Sequence, residues 1–358
     1  MAAIHAFFDR LLEIKGSDLH LAADLPPMYR VNGELQPFGA SPLGDKNLEA
    51  ILLEVLDAEQ RTAFLRDLDL DFAIDHGADL RLRANYFWKS SGPGAVFRTI
   101  PTTVRCLEDL GTPLAIQLLA ERRSGLVLVT GPTGSGKSTT LAAMVDHINF
   151  TRACHILTVE DPVEFVHVPK LAHVTHREVG HDASSFASAI RSAGREDADV
   201  ILIGELRTNE TMKLALQLAS FGILVFGTLH TNNAASTVDR ILNAFPTDEQ
   251  GQIRGMLAES LAGIVAQQLV RTADGRGRMA AHEILLGSPA LASMIRDGKT
   301  FQIPNLMQGG QAQGMQTMDM ALMRLVENHV VSATTALEKA SDKDAFERVL
   351  AERTSAPG

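Results

Sequence analysis

One stretch constrains this chain more than any other: Leu126 to Leu141, which reads LVLVTGPTGSGKSTTL. Leu126 to Val129 have the length and composition of a buried strand, and Gly131-Pro132-Thr133-Gly134-Ser135-Gly136-Lys137-Ser138 fits the pattern G-x-x-x-x-G-K-[ST]. A run of good helix formers follows. Phosphate binding asks for that order. Glycines let backbone N–H groups turn inward on an anion, and a helix beginning near Gly136 aims its positive end at the same point. The expected cradle for ATP therefore runs from Gly131 to Thr139. In it Lys137 reaches the β- and γ-phosphates and the Ser138 hydroxyl ligates Mg²⁺.

At 358 residues the chain exceeds the size at which one core keeps growing, so two domains are expected. Its net charge of −10 argues against a nucleic-acid partner, because clamping nucleic acid needs a basic surface. Two cysteines, Cys106 and Cys154, cannot supply a disulfide framework or a four-cysteine zinc site. The first sixteen residues lack a basic leader, and Asp9 and Arg10 interrupt their apolar run. The longest uncharged apolar stretch, Leu214 to Leu229, contains Gln217, Ser220, Gly222 and Gly227 and falls short of a membrane span. A cytoplasmic protein without membrane insertion is expected.

Along the chain, Ile4, Phe7, Phe8, Leu11 and Leu12 form one apolar helical face that Gly16 ends. Asp18 to Leu21 and Met28 to Phe38 alternate as strands do, the second interrupted by the hairpin signal Asn32-Gly33. Helical patterns over Lys46 to Leu56 and Ala58 to Leu65 precede a long alternation from Leu68 to Phe87. There Leu68, Leu70, Phe72 and Ile74 share one face, and Asp67, Asp69, Asp71 and Asp75 the other. Those carboxylates lack the Gly and distal Glu of a calcium loop. Ser90 to Gly94 reads as a turn and Ala95 to Ile100 as a strand.

This predicts a mixed α/β domain over 1–100 and a linker over 101–111, where Pro, Gly and charge interrupt any apolar period. From 112 to 358 the rhythm changes. Apolar strands at Leu126 to Val129, Ile156 to Val159, Val200 to Ile203, Leu224 to Phe226 and Met279 to Leu286 alternate with helices. Such a pattern implies a largely parallel sheet whose ligand site lies at the carboxyl ends of its strands. Beyond Ser288 the chain reads as helices.

Several strand ends carry groups suited to phosphoryl transfer. Glu205 follows Val200-Ile201-Leu202-Ile203-Gly204, and a carboxylate there can orient water or hold Mg²⁺ through its hydration shell. Glu160 ends the preceding strand and is a second candidate for water activation. His230, after the next strand, could hydrogen-bond a γ-phosphate or a catalytic carboxylate. Charge on the transferred phosphoryl also needs cationic donors from outside the loop, and Arg81, Arg83 and Arg98 of the first domain are the candidates. A solvated strand face is the alternative for any one of them. His173, His176 and His181 lie on what reads as a loop, with no spacing that suits a metal.

With these motifs assembled, the chain resembles the type IV pilus retraction ATPases of the PilT kind, within the secretion ATPase family. The resemblance is carried by Gly16-Ser17-Asp18-Leu19-His20, by Phe97 to Pro101 and by Gly131 to Met144. VEDPVEF at Val159 to Phe165, REVG at Arg177 to Gly180 and REDADVILIGELR at Arg195 to Arg207 continue it, as do Phe226 to Ile241 and GMQTMD at Gly314 to Asp319. It implies a PAS-like N-terminal domain, a RecA-like P-loop ATPase domain and a homo-hexameric ring that couples ATP hydrolysis to domain motion. By the same resemblance Glu160 belongs to an acidic box, Glu205 to Walker B and His230 to a histidine box, while Arg98, Arg83 and other first-domain arginines close over the nucleotide.

The implied work is pilus retraction, hence twitching motility, at the inner face of the inner membrane, against a pilus platform protein. Four positions depart from the family pattern: Ile223, Thr208, His181 and Ala198. Ile223 replaces an imidazole with a branched alkyl group, which removes a donor and a switchable charge. The alternatives are an accessory ring subunit that partners a paralogous pilus ATPase, in which Thr208 resembles the PilU-like enzymes, and a type II secretion-like export ATPase.

Overall fold

A computed structural model describes residues 3–31, 34–37, 41–77, 80–100 and 103–355, with side chains to residue 352. The chain divides into two compact units, 1–103 with 164–166, and 104–163 with 167–358. The Asn32-Gly33 hairpin signal lies outside the described residues.

The first unit is built as α1 (His5–Glu13), β1 (Asp18–Ala22), β2 (Met28–Val31), β3 (Glu34–Pro37), α2 (Asp45–Leu53), α3 (Ala58–Asp67), β4 (Asp69–His76), β5 (Leu80–Lys89) and β6 (Gly92–Ile100). Its six strands form one antiparallel sheet in the order β3-β2-β1-β6-β5-β4. Alternation along β5 buries Leu80, Leu82, Ala84 and Tyr86 on one face. Phe97 of β6, opposite Ala84, shares that face, and Phe8 and Phe64 pack against it, with Phe8–Phe97 and Phe64–Tyr86 ring centroids 5.0 and 5.5 Å apart in edge-to-face contact.

Leu68 departs from the expected strand. It caps α3 in the left-handed region, at φ 59°, and is half exposed, so β4 starts one residue later. The turn between β5 and β6 tightens to Ser90-Ser91, since Lys89 pairs with Gly92.

The second unit contains α4 (Leu114–Ala120), β7 (Gly125–Thr130), α5 (Lys137–Thr151), β8 (His155–Glu160), β9 (His173–Glu178), α6 (Phe186–Ala193), β10 (Val200–Ile203), α7 (Asn209–Ser220) and β11 (Leu224–Leu229). It continues with α8 (Ala234–Asn243), α9 (Thr247–Ser260), β12 (Leu261–Arg271), β13 (Arg278–Leu286), α10 (Pro289–Asp297), α11 (Ile303–Gly309), α12 (Met318–Glu327), α13 (Ala333–Lys339) and α14 (Lys343–Ser355). The sheet order is β13-β12-β7-β11-β10-β8-β9, parallel throughout except for β13 at one edge.

Residues of β7 alternate between two cores. Leu126 and Leu128 join α6 to α11 on one face, while Val127 and Val129 join α4 and α5 on the other. Two strands differ from expectation: His173–Glu178 is an edge strand rather than a loop, and Leu261–Arg271 is a central strand that the sequence reading passed over. Among the described residues no helix is long and apolar enough to cross a membrane.

Candidate functional site

The phosphate loop leaves β7, a strand buried at every position, and enters α5 through Gly136, which sits at φ +88°. A side chain at Gly136 would meet Gln267 Nε2 at 2.8 Å, and one at Gly131, at φ +142°, would run into the Gln267 carbonyl. Glycine is therefore required at both, by backbone conformation and by the approach of β12. Lys137 is buried, and its ammonium donates to the carbonyls of Gly131 (2.8 Å) and Pro132 (3.1 Å), which holds the cation across the loop. Ser138 and Thr139 follow in the first turn of α5, both half-buried. Pro132, Thr133 and Gly134 form the exposed lip.

Gln267 is a site residue that the motif reading missed. From β12 its amide donates to the Ser135 carbonyl at 2.7 Å, and its carbonyl oxygen accepts from the Thr140 hydroxyl at 2.7 Å. One buried side chain thus pins both ends of the turn that opens α5. The signal was the run LAGIVAQQLV, whose paired glutamines sit inside an apolar segment. Beside this turn opens a cleft of about 820 Å³, lined by Thr139, Gln267 and His282 and by the exposed Arg105, Arg271 and Arg278. Its size suits a nucleoside. Burial holds the His282 imidazole neutral, with its pKa pushed down to about 4.

Three neighbouring strands deliver the expected acid and imidazole groups to the same sheet edge as the loop. Val159 is in register with Ile203, and the Gly204 N–H donates to the Val159 carbonyl at 2.8 Å, so Glu160 flanks the Gly204-Glu205 turn. Thr228 of β11 secures that turn from the other side: its hydroxyl donates to the Gly204 carbonyl at 2.5 Å, and its carbonyl accepts the Leu206 N–H at 3.1 Å. Glu205 is held between two cations or donors. Arg207 Nε lies 2.8 Å from one carboxylate oxygen, and His230 Nε2 lies 3.2 Å from the other. Arg207 is a further site residue, to which motif spacing alone does not point. Glu160 is buried at the end of β8.

Thr208 serves locally as the N-cap of α7, its hydroxyl accepting the Thr211 N–H at 3.2 Å. Ile223 packs against the core, and its carbonyl accepts the Gly125 N–H at the start of β7. The histidines of β9 are locally bonded. His176 Nε2 accepts the His167 N–H at 3.1 Å, which leaves Nδ1 to donate to Thr158 Oγ1 at 2.9 Å. His181 lies beside the Asp182 carboxylate at 2.7 Å. Among the described residues no cluster of His, Cys, Asp or Glu could hold a metal by itself.

In the first unit the arginines form a row across one sheet face. Register places Arg30 opposite Asp18, Asp18 opposite Arg98, and Arg98 opposite Arg83. Directly opposed residues share a face, so the Arg83 and Arg98 side chains leave the sheet on the same side. Asp18, buried, accepts from Arg98 Nε at 2.8 Å. Burial opposes its charge, but the Ser17 hydroxyl and the Arg98 guanidinium outweigh this and hold its carboxyl below the usual range. Arg83 and Arg81 lie 3.8 and 3.5 Å from Asp71 and Asp75.

A phosphate loop on a parallel sheet, with a carboxylate and imidazole on adjacent strand ends, defines a RecA-like ATPase domain preceded by a separate α/β domain. The family described as Type II/IV secretion system protein matches residues 29–347, and the chain belongs to it. The type IV pilus retraction ATPase PilT of Pseudomonas aeruginosa is 48% identical over 330 residues, 92% of this chain and 96% of that protein. The twitching motility protein of Neisseria gonorrhoeae is 47% identical over 320 residues, 89% of this chain and 86% of that protein. The crystal structure of the pilus retraction motor PilT with bound ADP superposes at a TM-score of 0.89 and 39% identity, covering 96% of this chain and 99% of that one.

Proposed function

We propose that this chain is the ATP-hydrolysing subunit of a homo-hexameric motor that powers type IV pilus retraction, and with it twitching motility. The observation that carries the reading is Glu205, suspended between Arg207 and His230 at the strand end two places from the phosphate-loop strand. A carboxylate so held is oriented for a water molecule in line with a bound γ-phosphate. Lys137 holds the β- and γ-phosphates, the loop N–H groups from Gly131 to Thr139 cradle them, and Glu160 assists Glu205. His230 reads the state of that carboxylate. Arg98 and Arg83 neutralise charge on the transferred group.

Mg²⁺ fits the donor set. With no all-protein cluster among the described residues, the ion would share the Ser138 hydroxyl with phosphate oxygens and waters, the coordination this hard cation prefers. Bound there, it would spread the negative charge of the β,γ-bridge. The ring would work at the inner face of the inner membrane against a pilus platform protein, with a paralogous pilus ATPase as a further partner.

Steady-state phosphate release and titration with a fluorescent nucleotide test the reading together. Glu205→Gln lowers kcat by about 10² to 10⁴-fold with nucleotide affinity retained. Lys137→Ala weakens binding about 100-fold, as expected when a charge-assisted contact to phosphate is lost. A Glu205→Gln protein that hydrolyses ATP at the wild-type rate overturns the assignment.

A further inference from the structure

Glu283 is a buried carboxylate on β13, opposite Ala266 of β12, and the phosphate chemistry above makes no use of it. One of its oxygens accepts the Ala234 N–H at 2.7 Å, the other the Met318 N–H at 3.3 Å. These are the first residues of α8 and α12, so a single side chain receives the leading N–H of two helices and faces the positive ends of both. Burial raises its carboxyl pKa, with the two N–H donors pulling the other way. Such a group is costly to keep in an interior and is held for what it positions.

What it positions can be followed bond by bond. His230 is joined to α8 by only Thr231, Asn232 and Asn233. Asn233 caps the helix through the Ser236 N–H at 2.8 Å. Thr237, one turn into the helix, donates to the Asn233 carbonyl and meets the Thr231 hydroxyl, both at 2.7 Å. The segment that carries His230 is thereby fastened to the first turn of α8, and that turn is fastened to β13 by Glu283.

We infer that Glu283 is a positioning residue for hydrolysis: by anchoring the start of α8 it sets the distance between His230 and Glu205, and it ties that distance to the placement of α12. The inference rests on the proposed role of His230. Displacing the imidazole by a fraction of an ångström weakens a contact that is 3.2 Å long, while the phosphate loop, held from β12 by Gln267, stays as it is. The consequence is a loss in kcat without a loss in nucleotide affinity.

A double-mutant cycle on the full chain tests this. Glu283→Gln is isosteric and retains one acceptor, but its amide group turns a donor toward a second N–H. Ala234→Pro removes the donor on the His230 side and puts a ring Cδ in its place, so the carboxylate must withdraw from α8; the site is a first helical position preceded by the extended Asn233 (φ −150°, ψ 165°), where the backbone tolerates proline. Each is expected to lower kcat about tenfold with KM for ATP and ADP affinity unchanged, and neither is expected to lower kcat further once His230→Ala is present. Multiplying effects in the double variant, or an unchanged kcat in Glu283→Gln, overturns the positioning role alone. A wild-type kcat in His230→Ala overturns the proposed role of the histidine, and the inference with it.

Discussion

The phosphate cradle and the arginine row are both polar clusters at a sheet, yet they are built in opposite ways. In the cradle every anchoring group is buried: Lys137 bonds the loop carbonyls, and Gln267 locks Ser135 to Thr140 from a neighbouring strand. In the row only the anchor is buried. Asp18 is 4% exposed at its side chain, while the Arg98 side chain bonded to it is 70% exposed. A cradle of the first kind meets its ligand with little reorganisation. A guanidinium of the second kind is aimed by its anchor and keeps its outer donors in water, where ion pairs are worth about 0–1 kcal/mol and are easily exchanged for a phosphate. Under the proposed function this difference corresponds to a division of labour, with binding given to the cradle of the second unit and charge neutralisation to the arginines of the first.

The largest effect that could break this contrast is on Arg98. Its proposed role predicts that Arg98→Ala lowers kcat by about 10³-fold, the lower range for an arginine supplied to a phosphoryl group, with nucleotide affinity nearly intact. Arg98→Lys is expected to rescue little, since an ammonium cannot keep the Asp18 bond and present a second planar donor together. Single-turnover hydrolysis alongside nucleotide titration separates the two quantities. Were Arg98→Ala to weaken binding as much as Lys137→Ala does, the division of labour would fail.

The two regions were unequally legible in the sequence, for the same reason. The loop from Gly131 to Ser138 is a local device whose strand, turn and helix follow one another without interruption from Gly125 to Thr151, so spacing alone exposes it. Glu205 and His230 were readable as strand ends, and their meeting at 3.2 Å follows once β10 and β11 pair in parallel. Gln267 was hidden because its strand is buried on both faces, reads as neither a 2 nor a 3.6 period, and bonds a loop 132 residues away. The β9 strand was hidden for the converse reason. HVTHRE is a polar edge strand with little apolar signal. In the arginine row, Arg83 beside Arg98 follows from a tight hairpin at Ser90-Ser91, but the Asp18 that anchors it arrives from 80 residues earlier.

Acid titration sharpens the contrast through His282, which lines the cleft beside the cradle. Its pKa is near 4 in the folded chain against an ordinary 6.5, so the unfolded state takes up the proton first as pH falls. The stability it contributes is complete above pH 6.5 and is lost on the way down to pH 4, about 3 kcal/mol in all. Asp18 behaves in the other range: its lowered carboxyl contributes stability above 3.8 that is lost only below that pH. Urea unfolding at several values between pH 7 and pH 4.5 should show a shallower loss in His282→Gln than in the wild type. Parallel slopes would mean that the imidazole is not sealed from water, and that the cradle side is as open as the arginine row.

The smallest effect concerns how much of the cradle is self-supporting. Gln267→Ala leaves the Ser135 carbonyl and the Thr140 hydroxyl without their partner and removes the side-chain amide that Gly136 closes on. Buried groups stranded in this way cost about 1–3 kcal/mol, shared between folding and any ligand that needs the loop in place. The expected result is roughly tenfold weaker nucleotide binding with kcat at saturation little changed, the reverse of the Arg98→Ala profile. Gln267→Glu separates support from charge, because the carboxylate can accept from Thr140 but cannot donate to the Ser135 carbonyl. If both variants bind nucleotide as the wild type does, the loop holds its shape through its own glycines and Lys137. Its preorganisation would then be local to β7 and α5, and the neighbouring strand would only cover it.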